Sequence, residues 1–113
     1  MVKKYKILIS KNARRDLKGI IRYIAHELKE PNIAKGLLQK ILKAIDSLDQ
    51  FPTRNRFYDG QFWKFKGLRF FPIASYLVFY YVNEEEKNVV ISRIVYAKRD
   101  IATQLNKIAD LEK

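Results

Sequence analysis

The chain has 113 residues, 48% of them hydrophobic, and contains no cysteine. A chain of this size is expected to form one domain, 1–113, burying roughly two thirds of its unfolded surface without metal or disulfide staples. Its apolar content excludes a wholly disordered protein, and the missing thiols exclude disulfide, thiolate-nucleophile and zinc–thiolate chemistry. Lys and Arg number 23 against 12 Asp and Glu, a formal charge of +11 that points to an acidic partner, nucleic acid or an anionic protein.

Residues 4–9 read as a first strand. The chain opens with basic residues, but the apolar run that follows is only Ile7 to Ile9, too short for the core of an export signal. No stretch approaches the roughly 18 apolar residues of a membrane span, and no lipidation motif is present. A cytoplasmic location with no membrane partner is expected.

Ser10 suits the N-cap of a helix in which Ala13, Leu17, Ile20, Ile21, Ile24 and Leu28 recur at helical spacing, with Arg14, Arg15, Lys18 and Arg22 on the other faces. Pro31 suits the first turn of a second helix whose apolar stripe is Ala34, Leu37, Leu38, Ile41, Ile45 and Leu48, closed by Phe51-Pro52. The two predict a helical hairpin. Its stripes are expected to cover a sheet, although such a stripe also suits a partner-binding groove.

Residues 53–61 read as a loop, carrying the turn formers Asn55, Asp59 and Gly60. Residues 62–72 read as a strand whose Pro72 marks its end or an edge position. Residues 76–82 form a near-continuous apolar run, as in a strand covered on both faces. A charged hairpin, residues 83–88, leads to a last strand over 89–96, and Ile101, Leu105, Ile108 and Leu111 suggest a short terminal helix. The expected fold is α+β: a strand, a two-helix hairpin and three further strands, with the hairpin packed on a small, mainly antiparallel sheet.

Fixed cations punctuate the back half. Lys64 and Lys66 leave one face of an extended strand together, since side chains alternate with a period of two, whereas Gly67 leaves the face of Arg69 open. Arg93 lies mid-strand among apolar residues and must either meet a carboxylate or face a charged concavity. Lys98, Arg99 and Asp100 follow the last strand, where Arg99 can either join a salt bridge or contact an anion.

Such a set suits phosphate chemistry without metal or other cofactor. An RNA 2′-hydroxyl attacking the adjacent phosphate needs a proton acceptor, a donor at the leaving oxygen and cations to neutralise developing charge. Arginine supplies the cation through its planar fork, and lysine serves as a base only with a lowered pKa. Tyr76, Tyr80, Tyr81 and Tyr96 could stack on bases, but strands use aromatics mainly for packing. His26, the single histidine, has no second histidine to work with and reads as a helix-flank residue. Gly-rich phosphate loops, nucleophile elbows and zinc-protease helices do not occur, and Glu84-Glu85-Glu86 reads as a solvated turn.

The helix pattern Asp16-Leu17-Lys18-Gly19-Ile20-Ile21-Arg22-Tyr23-Ile24, then Tyr76-Leu77-Val78-Phe79-Tyr80, then Arg93-Ile94-Val95-Tyr96-Ala97-Lys98-Arg99-Asp100, resembles the RelE/ParE superfamily of bacterial type II toxins. The resemblance implies a growth-arresting toxin neutralised by an acidic antitoxin. In the RelE branch the activity is ribosome-dependent mRNA cleavage. Lys64 and Lys66 resemble its paired lysines and Arg99 its final-strand arginine, with Arg69 as a further catalytic candidate and Arg93, Tyr96 and Lys98 as nucleic-acid contacts. Leu77 and Leu105 depart from that branch, standing where it has an arginine and a tyrosine. The helix signature and the Arg99-Asp100 ending look more like ParE toxins, which inhibit DNA gyrase without hydrolysing anything. A metal-independent ribonuclease is the leading expectation, gyrase inhibition the second, and a non-toxic basic nucleic-acid-binding domain the third.

Overall fold

Ser10 turns the chain from strand to helix. Its hydroxyl accepts from the Ala13 N–H at 3.0 Å, satisfying one of the orphan donors of the first turn, while its own N–H donates to the Ile91 carbonyl at 3.0 Å. The computed structural model describes residues 5–58 and 67–98. Within them lie the strands β1 (Lys6–Ile9), β2 (Arg69–Ile73), β3 (Tyr76–Asn83) and β4 (Asn88–Tyr96), and the helices α1 (Lys11–Arg22) and α2 (Pro31–Asp46). The expected terminal helix lies outside the described residues.

The sheet order is β1-β4-β3-β2. The hairpin-linked strands β2, β3 and β4 pair antiparallel, whereas β1 runs parallel to β4, so the first and last strands are neighbours. The fold is the expected α+β arrangement with a mixed sheet. Gly67 has φ 79°, a left-handed conformation outside the extended region, and β2 starts at Arg69; residues 62–66 of the expected strand lie outside the described residues. Pro72 sits on this edge strand, where a missing N–H is tolerated.

Alternation along β3 explains its unbroken apolar run. Val78 and Tyr80 face the helices and pack with Ala13, Ile41, Ile45 and Leu48, while Phe79 faces the other side with Leu68 and Val95. All three of Val78, Phe79 and Tyr80 are fully buried, and each such side chain contributes roughly 1.5–3 kcal/mol. A register shift at Phe79/Tyr80 pairs Phe79 with Arg93 and Tyr80 with Ile91, leaving Ser92 as the extra residue of a bulge. The Ser92 carbonyl accepts from the Ser10 hydroxyl at 3.0 Å.

α1 passes at Arg22 into a π-helical turn, Tyr23–Glu27, in which the Leu28 N–H reaches back to the Tyr23 carbonyl at 3.1 Å. The apolar stripes are wider than the sheet they cover. Leu17, Ile20 and Leu37 pack on the core, but Ile21 and Leu38 are half-buried and belong to neither core cluster, and Leu28 is 52% exposed. Sheet coverage therefore does not account for these three positions. Among the described residues no helix is long and apolar enough to cross a membrane.

Candidate functional site

Among the described residues β1 pairs only with Asn88–Ile91, and no strand flanks the continuation of β4 on that side. α1 occupies the place. The Asp16 carboxylate accepts the Ile94 N–H at 2.9 Å, standing in for a strand carbonyl, and holds Arg93 in a two-pronged pair, Nε to Oδ2 at 2.6 Å and Nη2 to Oδ1 at 2.9 Å. Both side chains are largely buried, at 15% and 14% exposure. Of the two outcomes expected for Arg93, the structure selects the carboxylate. Asp16 was visible in the sequence only as one letter of a helix pattern.

Arg69 is equally occupied. Its Nη1 donates to the Asn55 carbonyl at 2.7 Å and the Thr53 carbonyl at 3.2 Å, and its guanidinium carbon lies 3.9 Å from the centroid of the Phe57 ring. This arginine staples the loop after α2 onto the edge strand. Arg54 does similar service one turn earlier: its Nη1 donates to the carbonyls of Gln50 (2.6 Å), Phe51 (3.2 Å) and Ser47 (3.3 Å), and its Nη2 to Ser47 Oγ at 2.9 Å. These bonds gather carbonyls that a helix end leaves open. Tyr80 completes the anchoring from the core, donating to the Pro52 carbonyl at 2.6 Å and accepting from Asn55 Nδ2 at 3.0 Å. Burial is the main cause raising its pKa above the ordinary tyrosine value.

Tyr96 and Lys98 are exposed at the end of β4, with Tyr96 edge-on to Tyr76 at 5.6 Å between ring centroids. Arg69 on β2 and Arg93 on β4 turn to different partners, loop carbonyls for the first and Asp16 for the second. Lys64, Lys66 and Arg99 lie outside the described residues. Among the described residues no group of three or more His, Asp or Glu side chains is placed to hold a metal ion.

The described residues form at least two hollows on the surface. One, of about 630 Å³, opens between the start of α1 and the β3–β4 hairpin and is lined by polar groups such as Asn12, Asn83, Glu84 and Ser92. The other, of about 460 Å³, is a groove on the helical hairpin, with Leu17, Ile21, Ala25 and Leu38 for its floor and Arg14, Lys18, Arg22 and His26 beside them. The apolar stripes and their basic flank are both written in the helix sequences, whereas the meeting of Leu38 with Leu17, Ile21 and Ala25 in one groove comes from the packing of the helices.

Residues 7–101 match the family model described as the ParE toxin of the type II toxin–antitoxin system, parDE. No curated protein is significantly similar in sequence. Among solved structures, the chain is similar to the chromosomal ParDE toxin–antitoxin system of P. aeruginosa, with TM-score 0.69 and 18% identity over 86% of this chain and 100% of that one. It is also similar to the toxin–antitoxin complex RelBE2 of Mycobacterium tuberculosis, with TM-score 0.60 and 21% identity over 82% and 98% of the two chains. The archaeal RelE–RelB complex of Pyrococcus horikoshii follows, with TM-score 0.58 and 18% identity over 85% and 98%. At these identities the structural likeness establishes the fold.

Proposed function

This chain belongs to the ParE toxin family of type II toxin–antitoxin systems, and on that premise we propose that it arrests bacterial growth by binding and inhibiting DNA gyrase, without hydrolytic chemistry of its own. The observation that carries the reading is the family match across residues 7–101, which favours the ParE branch over the RelE branch. The occupied arginines support it. Arg69 is spent on backbone carbonyls and an aromatic ring, and Arg93 on Asp16, so each has a sufficient structural reason to be present. Leu77, where the RelE branch carries an arginine, adds to the same side.

The proposed partners are gyrase and an acidic antitoxin that masks the toxin in the bacterial cytoplasm. The +11 charge suits both, since an anionic target and an anionic inhibitor would be drawn to the same field. The similar structures from P. aeruginosa, M. tuberculosis and P. horikoshii are themselves toxin–antitoxin systems or complexes, which supports an antitoxin here.

The deciding experiment sets purified protein against gyrase supercoiling and, in parallel, against mRNA on translating ribosomes. Loss of supercoiling with intact mRNA is the expected result. Cleavage of mRNA with unimpaired supercoiling would overturn the proposal in favour of the ribonuclease, whose key cations would then be Lys64, Lys66 and Arg99.

A further inference from the structure

The bulge in β4 leaves Ser92 with a hydroxyl that the fold does not use. Ile91 packs in the core under the helices, so Ser92, the next residue, lies on the opposite face of the sheet with Val90 and Asn88. Ser92 is only 7% exposed, and among the described residues its hydroxyl makes no hydrogen bond, although its carbonyl accepts from Ser10. Buried polar groups are normally paired. No described side-chain oxygen or nitrogen is both sealed from solvent and without a partner, so this hydroxyl keeps an opening, and Ser92 lines the hollow of about 630 Å³ beside the β3–β4 hairpin. Bulges re-aim side chains in this way beside functional sites. Two more groups on the same hollow lack partners among the described residues, the half-buried Asn12 amide and the exposed Glu85 carboxylate.

We infer that this hollow binds a linear aliphatic polyamine, with one ammonium group at the Glu84–Glu85 rim, another at the Ser92 hydroxyl and the methylenes along Tyr81 and Val90. In a chain of net charge +11, two glutamates line the hollow and no described Lys, Arg or His does. Lys87 offsets Glu84 at 3.5 Å, and the Tyr5 hydroxyl donates to the same carboxylate, whereas Glu85 keeps its charge free. Lys6 stands opposite Asn88 on β1 without lining the hollow. Cations farther off are screened over about 8 Å at physiological salt, which leaves the local carboxylates in control. An anion would face both of them. A metal ion would lack ligands, since no group of three or more His, Asp or Glu side chains gathers among the described residues. Length then separates a polyamine from a single ammonium. Ser92 lies four positions along β4 from Asn88, at the foot of the hairpin, roughly 13 Å at 3.3 Å per residue, so rim and hydroxyl call for amines at both ends of a chain. A hollow of this volume falls within the usual range for small-molecule sites.

The test titrates the full chain with spermidine at constant ionic strength by calorimetry. Saturable binding at one site is expected, with a thermal midpoint that rises with ligand concentration. Glu85→Gln removes a charge that the fold does not use, and is expected to weaken binding at least about tenfold through the loss of a charge-assisted contact. Ser92→Ala is expected to weaken it at least about threefold. Neither side chain is hydrogen-bonded among the described residues, so both variants should match the wild-type thermal midpoint without ligand. Glu86→Gln removes the same charge from the same turn outside the hollow and is expected to lose less than about threefold. Capped lysine, Nα-acetyl-lysine amide, offers a single ammonium and should bind at least about tenfold more weakly than spermidine. Absence of saturable spermidine binding below about 10 mM overturns the inference. So does wild-type affinity in Glu85→Gln or Ser92→Ala, or an equal loss in Glu86→Gln, which would reduce the effect to a diffuse field. Capped lysine binding as tightly as spermidine removes the two-ended assignment. The toxin reading stands or falls separately, because nothing in the titration depends on it.

Discussion

Asp16 serves three donors with two oxygens. Removing one member of a largely buried ion pair leaves the other charge without its partner, and such losses run to roughly 3–5 kcal/mol. With 14–15% of each side chain still in contact with solvent, Asp16→Ala is expected near the bottom of that range, at about 3 kcal/mol. Arg93→Ala should cost less, since Asp16 keeps the Ile94 N–H. The double variant should fall short of the sum by about 1–3 kcal/mol, the coupling expected of residues in one network, and urea unfolding of all four proteins measures it. Full additivity would mean the pair contributes nothing as a pair. Tyr80→Phe is a second probe at this scale. It strips the buried Pro52 carbonyl of its donor, for about 1–3 kcal/mol. Because burial raises the Tyr80 pKa in the fold, the unfolded state releases that proton first, so stability is intact below about pH 10 and declines as pH rises beyond it. Thermal unfolding across the alkaline range should show a shallower decline in Tyr80→Phe than in wild type.

The loop after α2 is held by side chains as well as by a short antiparallel pairing with β2, in which the Tyr58 N–H donates to the Leu68 carbonyl at 2.8 Å and the Phe70 N–H to the Arg56 carbonyl at 3.2 Å. Arg69 is central to the side-chain part. Arg69→Ala is expected to cost about 1–2 kcal/mol from the lost charge-assisted bonds to Thr53 and Asn55, discounted for partial exposure. Lysine should not restore it in full, because an ammonium lacks the planar face that lies over Phe57. Toxicity supplies the contrast with a catalytic role. If Arg69 only anchors the loop, toxicity of Arg69→Ala at a permissive temperature stays near wild type. Abolished toxicity in a protein of unchanged stability would make the ribonuclease reading the better one. Phe51 marks the same connection as strained: it precedes a proline, holds φ 52°, and is 72% exposed. The Arg54 bonds to the Ser47, Gln50 and Phe51 carbonyls hold it in that turn.

For the molecule as a whole, the +11 charge is a statement about association rather than about the fold. Binding to an anionic antitoxin should therefore weaken as salt rises from about 0.05 to about 0.5 M, as screening shortens the reach of the field to a few ångströms. Most of that loss should lie in the association rate, measurable by stopped flow. Affinity and rates that ignore ionic strength would assign the contact to apolar area alone.

Periodicity alone determined the elements. Spacings of three and four along residues 13–28 and 34–48 gave the helices, the apolar run from Tyr76 gave the central strand, and Ser10 marked the cap, because each of these signals is local and survives without knowledge of any partner. The order of motifs likewise carried the family. What tertiary structure decided was the use of each charge and each surplus apolar residue. The parallel pairing of β1 with β4 leaves one flank of β4 to α1, and only that placement brings Asp16 to Arg93, 77 residues away. Periodicity assigns Ile21 and Leu38 to the same stripes as Ile20 and Leu37, but the narrow sheet covers only the latter pair. Amphipathic spacing shows which face of a helix is apolar. How much of that face is already occupied depends on the width of the surface beneath it, which no local pattern contains.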